Sequence, residues 1–556
     1  MSSLESLTIK AKKNTAYQII FVLCITVIAA ALRFYKLGEW SFWIEELHSI
    51  RTINNLAYSL SSIASNTRPV FYLMSKPILD VLGVNEWTTR LLPTIIGIIT
   101  IPILYWLTKK LFGVSVAVIA AILLSLAPWH IYWSQNARFY TLLLLLTFLS
   151  SYAFYLAIEQ DNITYIYGSI GLFLLAGATH AIAALLIPIF LLYFVLLKLL
   201  PFEKPKGLRF TNLLPFCIVL ISGYLFYEIF RVMIGGKQLL IFEIYYKFFD
   251  ETTASFIGYA SPKITITATA YYLGAPLVLL ALIGSGLLLI KRDRAGLFVS
   301  LAAFFPLGLI TVLTLFASTS NRYVFMSLPY WIILAAYAVT IFLKKYSKNS
   351  VILVLSLLGI FVLLYRDPAI RDIFHFLSQE NAIVLYMIIL IVCGLIFTSL
   401  LLQLVPTLSK RYSFIGLGSV ILVILIAHAV MVDYMYYAYQ HGHRENWKDA
   451  TAFILEEKIN NEPIYVAAFS LGDYYLKKDV HSVKKDTDLF GALEKDDQVW
   501  FIENADMEQR MGSEFEGWAT TNCVLVNNWD TFTGGRYWKM RVHHCGKISS
   551  ILTNNN

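Results

Sequence analysis

The sequence predicts a polytopic, all-helical membrane protein that ends in a small α/β domain. Three observations carry this. The 556 residues are 58% apolar and 14% charged, with a mean hydropathy of +0.65, whereas soluble domains carry about 45–50% apolar and about 25% charged residues. Long apolar runs recur from residue 17 to residue 437, and a hydrocarbon core about 30 Å thick takes about 20 apolar residues per helix. From residue 438 onward charged residues return and the apolar runs shorten.

Thirteen spans are expected, near residues 17–34, 89–108, 113–131, 138–158, 163–179, 181–200, 211–232, 268–290, 295–316, 323–343, 350–365, 381–404 and 413–437. The fifth and sixth are short and nearly continuous, as in a helical hairpin that does not cross fully. The polar stretch Met1 to Lys13 precedes the first run, and no small-residue cleavage site follows it, so the first span is expected to be retained. With the N-terminus cytoplasmic, that side receives Lys10, Lys12, Lys13, Lys109, Lys110, Lys198, Lys291, Arg292, Arg294, Lys344, Lys345, Lys410 and Arg411, the bias that sets membrane orientation. The first loop, 35–88, and everything after 438 then face outward. Residues 1–437 form the membrane domain and 438–556 the tail domain. In the tail, "NWKDATAFILEEK" has helical periodicity, while "PIYVAAFS", "DQVWFIE" and "NCVLVNN" are β-rich runs between turns.

The net charge of +8 comes from 44 basic and 36 acidic residues and forms no basic tract, which argues against a nucleic-acid partner. Five cysteines are too few for a disulfide scaffold. Cys24, Cys217 and Cys393 lie within apolar runs and are expected to be small core residues. Cys523 and Cys545 lie in the polar tail, placed to pair if that tail faces an oxidising compartment.

The chemistry is expected in the first loop and at the outward ends of the spans. The loop opens "KLGEWSFWIEELHSI" and continues "RPVFYLMSKPILDVLG", amphipathic pieces suited to helices lying in the membrane interface. Glu45 and Glu46 stand between Trp43 and His48, just after the first span. Carboxylates so near hydrocarbon are costly unless solvated or paired; solvated loop acids are the plainer alternative. Arg138 and Tyr140 open the fourth span, His180 falls between the fifth and sixth, and Asn321, Arg322 and Tyr323 open the tenth. Arg68 and Arg90 sit in and after the first loop. Outward loops are normally poor in such cations. A phosphate would explain them, since guanidinium binds it bidentately and stays charged; snorkelling or pairing with a nearby acid is the alternative. A carboxylate pair facing several arginines suits a reaction on a phosphorylated, lipid-borne substrate, with the carboxylate taking a proton and the cations stabilising the departing phosphate.

The segments "SFWIEELHS", "RPVFYLMSKPILDVLGVNEWTTRLLPTIIG", "APWHIYWSQNARFYTLLLLLT", "GATHAIAALL" and "NRYVFMSLPYWIILAA" run in the order found in family 39-type glycosyltransferases. The chain resembles protein O-mannosyltransferases and the bacterial aminoarabinose transferase of lipid A, which share the GT-C membrane fold. The tail segment "HRENWKDATAFILEE" also looks like the domain ending many members. The resemblance implies transfer of one sugar from a polyprenyl-phosphate donor to a hydroxyl on the outer face, usually with inversion. The family's acidic pair, normally Asp-Glu, maps onto Glu45 and Glu46, implying Glu45 as base with Glu46 supporting, or the roles exchanged. It implies Arg138, Arg322 and Arg68 at the donor phosphate, and His48, Tyr72, Tyr140, His180 and Tyr323 around substrate. It implies no certain cofactor and leaves a divalent metal open, which Glu45, Glu46 and His48 could hold. The sugar (mannose, glucose, galactose, aminoarabinose or arabinose) and the acceptor (lipid, glycan or protein) stay open. An oligosaccharyltransferase is disfavoured, because the sequence holds no WWDYG-type motif, and the sequon at Asn162 lies on the expected cytoplasmic side. The rival classes are a transporter or lipid flippase, for which internal repeats and mid-membrane charges would be expected, and a purely structural assembly protein.

Overall fold

The structure is a computed structural model that describes residues 2–59, 62–63, 66, 68–233, 261–315, 319–345, 417–439, 444–458, 462–467, 469–477, 480–504, 514–533 and 536–546. Every expected span within these ranges lies on helix, but the count and the shapes differ from thirteen simple crossings. Among the described residues, seven helices are long and apolar enough to cross a bilayer, or nine if each of two bent pairs is one span. The expected spans at 350–365 and 381–404, with Cys393, lie outside the described residues. Helix Ile163–Thr179 is apolar but shorter than a full crossing, and helix Phe210–Met233 lies on the expected seventh span.

Both bends have local causes. Helices Val114–Ser125 and Pro128–Ser134 meet at 56°, where Pro128 cannot donate to the preceding turn and so starts a new helix. Helices Pro262–Leu273 and Ala275–Ile290 meet at 95° across Gly274. Its φ of +82° is a conformation that a side chain rarely tolerates, and an added Cβ would lie 2.8 Å from the His428 ring. Apolar composition alone reports neither break, because a bent helix and a straight one bury the same residue types.

The span Asn321–Leu343 lies at the centre, with 89% of its apolar window buried, against 17% for Thr15–Phe34 at the periphery. It packs on helices Val114–Ser125, Ala275–Ile290, Arg294–Leu313 and Leu417–Tyr439. Its first turns, the 3-10 segment Asn321–Ser327, are thereby held in place. That segment carries Arg322.

The expected loop helices are present as Ile44–Asn55 and Pro69–Leu82. Beyond helix Trp447–Glu457 the tail forms a five-stranded sheet, β1 (Ile464–Val466), β2 (Val480–Ser482), β3 (Gln498–Glu503), β4 (Cys523–Thr533) and β5 (Arg536–Gly546), in the order β2-β1-β3-β5-β4. β1 is parallel to β2 and β3, whereas β5 is antiparallel to β3 and β4. The β-rich readings at 497–503 and 522–528 become β3 and β4. "PIYVAAFS" yields only three strand residues before helix Phe469–Leu476 begins. Cys523 and Cys545 are register partners across β4 and β5 and form a disulfide. Cys24 and Cys217 are free thiols. Replacing Cys545 by Ser should cost the tail about 3 kcal/mol, the loop-closure value for a ring of this length. Limited proteolysis should show earlier cleavage between 523 and 545, with the helical domain unaffected.

The tail does not hang free. Phe42, Leu47 and Ile50 of the first loop share one apolar core with Trp447, Ile454, Leu471, Trp500 and Val542. The Tyr475 hydroxyl accepts from the Phe42 N–H at 2.7 Å and donates to Glu86 Oε1 at 2.9 Å. Ser41 Oγ accepts from the Lys448 N–H at 2.9 Å. The helix bearing Glu45 is therefore packed from one side by the tail.

Candidate active site

Helix Ile44–Asn55 begins immediately after the extended residue Trp43 and turns its two acids in different directions. Glu46 faces inward. Its carboxylate is fully buried and receives a forked pair of bonds from Arg90, Nε to Oε1 and Nη2 to Oε2, each 2.9 Å. The Ala137 N–H adds 2.7 Å to Oε1. Arg90 spends its remaining donors on the carbonyls of Leu37, Trp40 and Ser41 at 2.9–3.1 Å. One guanidinium thus ties the loop entry, the loop helix and helix Glu86–Phe112 together. Burial alone would raise the Glu46 pKa, but the Arg90 charge and hydrogen bonds, helped by Arg444 and the Ala137 N–H, hold it below the usual carboxylate range. Both Glu46 oxygens are thus taken by donors from Arg90 and Ala137.

Glu45 lies one residue earlier, on the next face. Its side chain is 24% exposed and bridges two arginines from distant parts of the chain. Arg138 Nη2 reaches Oε2 at 3.1 Å, and Arg322 Nη1 bonds Oε1. Arg138 is further fixed by Nη1 donating to the Glu45 carbonyl at 3.0 Å and to Ser49 Oγ at 2.9 Å. Ser49 is four residues from Glu45 and so shares its helix face. The Nε of each of Arg68, Arg138 and Arg322 is buried without an acceptor. Two of these guanidiniums hold Glu45 and the third, Arg68, faces Phe139 beside Arg138; with unspent donors on all three, the cluster is able to take an anion.

Phe139 sits among these groups. The Arg68 and Arg138 guanidiniums lie 4.6 and 5.1 Å from its ring centroid, and the His180 ring stacks on it at 4.5 Å and 12°. Arg68 Nη1 donates weakly to the Tyr72 hydroxyl at 3.4 Å. Tyr140 packs against Phe139 and Trp133, with centroids 4.4 and 4.1 Å apart. Tyr323 lies 5.7 Å from His180 and 5.9 Å from the Arg322 guanidinium. Burial first, then the charges of Arg68, Arg138 and Arg322, push the His180 pKa down to about 3. Its imidazole is therefore neutral throughout the physiological range. His180→Asn should consequently leave the pH profile of activity between about pH 5.5 and 8 unchanged in shape, which a rate–pH series on both proteins would check.

Nine of the ten residues expected at the site thus fall into one cluster or directly against it. His48 is the exception, exposed on the loop helix and without a hydrogen bond or ion pair to the cluster among the described residues. The expected metal set of Glu45, Glu46 and His48 does not fit a divalent ion. Both carboxylates are turned onto guanidinium groups in different directions, and no group of three His, Cys, Asp or Glu among the described residues is placed to hold a metal.

Sequence reasoning noted Arg90 as a wrong-side cation but gave it no partner, and it missed Ser49 and Phe139 altogether. Ser49 had a signal, its i,i+4 spacing from Glu45. Phe139 had none beyond its place between Arg138 and Tyr140.

The model of the dolichyl-phosphate-mannose-protein mannosyltransferase family matches residues 66–227. No curated protein matches the chain in sequence. Among solved structures, ArnT from Cupriavidus metallidurans in the apo state shares 14% identity, with a TM-score of 0.56 over 96% of this chain and 98% of that one. The same protein bound to undecaprenyl phosphate gives 13% and 0.54 over 95% and 98%. The Archaeoglobus fulgidus oligosaccharyltransferase tethered with an acceptor peptide gives 12% and 0.50, over 88% of this chain and 69% of that one. At these identities the structures speak for the fold, which extends over nearly the whole chain, tail included. The chain is thus a multi-pass helical bundle with the fold of ArnT over nearly its whole length, and its residues 66–227 match the model of that mannosyltransferase family.

Proposed function

We propose that the chain moves a single sugar from a polyprenyl-phosphate donor to a hydroxyl acceptor at the outer face of the membrane, by one inverting displacement with Glu45 as base. The observation that carries this is Glu45 held between Arg138 and Arg322, partly open where Glu46 is sealed. The donor phosphate is to rest on Arg138, Arg322 and Arg68, the first two of which hold the Glu45 carboxylate. An arriving phosphate competes for those guanidiniums and frees the Glu45 oxygens. Glu45 then takes the proton of the acceptor hydroxyl as its oxygen bonds to the anomeric carbon. The bond from that carbon to the phosphate oxygen breaks, its electron pair leaves with polyprenyl phosphate, and the arginines neutralise the charge, so no acid is needed. ArnT of Cupriavidus metallidurans holds undecaprenyl phosphate in the same fold, which supports a lipid-linked donor.

Two features support an outward site. The cluster joins the ends of spans that basic residues place opposite the cytoplasmic loops. The tail packed beside it carries the Cys523–Cys545 disulfide, chemistry suited to an oxidising compartment. The test is release of polyprenyl phosphate from a radiolabelled polyprenyl-phosphate sugar by the purified chain. Release that depends on Glu45 and on the arginines is expected. Arg138→Ala and Arg322→Ala should raise KM for the donor by about tenfold or more, about 1.4 kcal/mol per lost charge-assisted contact. Movement of the intact donor across vesicles without its cleavage would leave the flippase reading instead.

A further inference from the structure

Beside the Glu45 cluster lies a cavity of about 360 Å³. It is bounded by Trp43 and Ile44 of the loop, Trp129 and Trp133 of the short bent helix, Asn321 and Arg322 of the central span, and Glu445 and Trp447 of the tail. Arg322 is the shared wall, since the same side chain that bonds Glu45 lines the cavity. Ile44 is the residue next to Glu45. A hydroxyl inside this space would thus share the Arg322 guanidinium with the proposed base.

The lining has a specific chemistry. Indole and phenol faces dominate it, interrupted by the Glu445 carboxylate, the Asn321 amide, the Ser320 hydroxyl and the Arg322 guanidinium. Aromatic faces carry negative quadrupoles, which attract the weakly positive C–H face of a pyranose, while the polar groups can pair with ring hydroxyls. An acyl chain would strand Glu445, Asn321 and Arg322 against hydrocarbon. A peptide would need an extended groove with backbone partners, and this space is compact. Trp133 adds an independent sign. It is 4% exposed, it lines the cavity, and its indole N–H has no acceptor, as expected of a donor that awaits a ligand oxygen. Glu445 is braced by Trp447 Nε1 at 2.7 Å and Asn504 Nδ2 at 3.0 Å, so the carboxylate in the wall is preorganised rather than swinging.

We infer that this cavity is the acceptor pocket and that its occupant is a carbohydrate. The tail domain is then a specificity element, since it supplies Glu445, Trp447 and Leu471 to the pocket. The inference rests on the proposed transfer reaction for its meaning, but binding to the cavity can be read without any donor.

The experiment is ligand-detected NMR and tryptophan fluorescence on the detergent-purified full chain, titrated with methyl and p-nitrophenyl hexosides. A Ser/Thr peptide and a sugar-free alkyl alcohol serve as comparison probes. Saturable glycoside binding in about the millimolar range or tighter is expected, weakened at least tenfold when the cavity is filled by Ile44→Trp at the exposed loop position or, separately, by Ser320→Phe. Both variants are compared at equal melting temperature, so that a variant that fails to fold is replaced by the other. Absence of saturable glycoside binding, binding undiminished by both fillings, or preference for the peptide or alcohol overturns the inference. Failure of polyprenyl-phosphate release would instead strike the donor reaction, leaving glycoside binding as a separate result.

Discussion

Glu45→Gln is expected to lower sugar transfer by about 10²- to 10⁴-fold, the usual contribution of a positioned general base, while leaving insertion and thermal stability close to those of the parent. The amide keeps the size and one acceptor oxygen of the carboxylate but cannot take a proton. Because it no longer competes with a phosphate for Arg138 and Arg322, donor affinity should hold or rise. The signature is therefore a collapse of kcat with KM for the donor unchanged or lower. Steady-state kinetics on the purified variant check this. Parental turnover, or a loss carried wholly by KM, removes Glu45 from the role of base.

The neighbouring acid should behave in the opposite way. Glu46→Ala or Arg90→Ala leaves an uncompensated charge at a site with 0% side-chain exposure, which costs about 3–5 kcal/mol. Arg90→Ala also strips three loop carbonyls of their donor. The expected result is loss of folded protein, read as a large drop in melting temperature and in yield, before any kinetic question arises. A double variant that replaces both partners with apolar residues should recover part of that loss, since the buried charge goes with its counter-charge. The pH dependence has a defined sign. The folded Glu46 pKa is lowered, so its contribution to stability is present above the unfolded carboxylate value and is lost as pH falls through the folded one. Acid melting of Glu46→Gln should accordingly be less steep than that of the parent. Two adjacent glutamates are thus expected to divide into one whose loss costs rate and one whose loss costs the fold.

The amino-acid order fixes the membrane class, because 58% apolar residues in long runs leave no soluble alternative, and each described span falls where its run lies. It also singles out a candidate site. Cations on the wrong side of a membrane and acids beside hydrocarbon are costly wherever they occur, so Glu45, Arg68, Arg138, His180 and Arg322 stand out without any coordinates. What sequence could not separate was Glu45 from Glu46, which differ by one residue and not at all in chemistry. The helix separates their surroundings, since a step of one residue swings a side chain by more than a quarter of a turn. That step sends Glu46 into Arg90 and Glu45 toward two arginines 93 and 277 residues away. The aromatic cavity and the seat of the tail on the loop helix are likewise products of packing between distant segments. Hydrophobic pattern is a local property and records which residues leave water; which partners meet once they have left is decided only when the chain is closed upon itself.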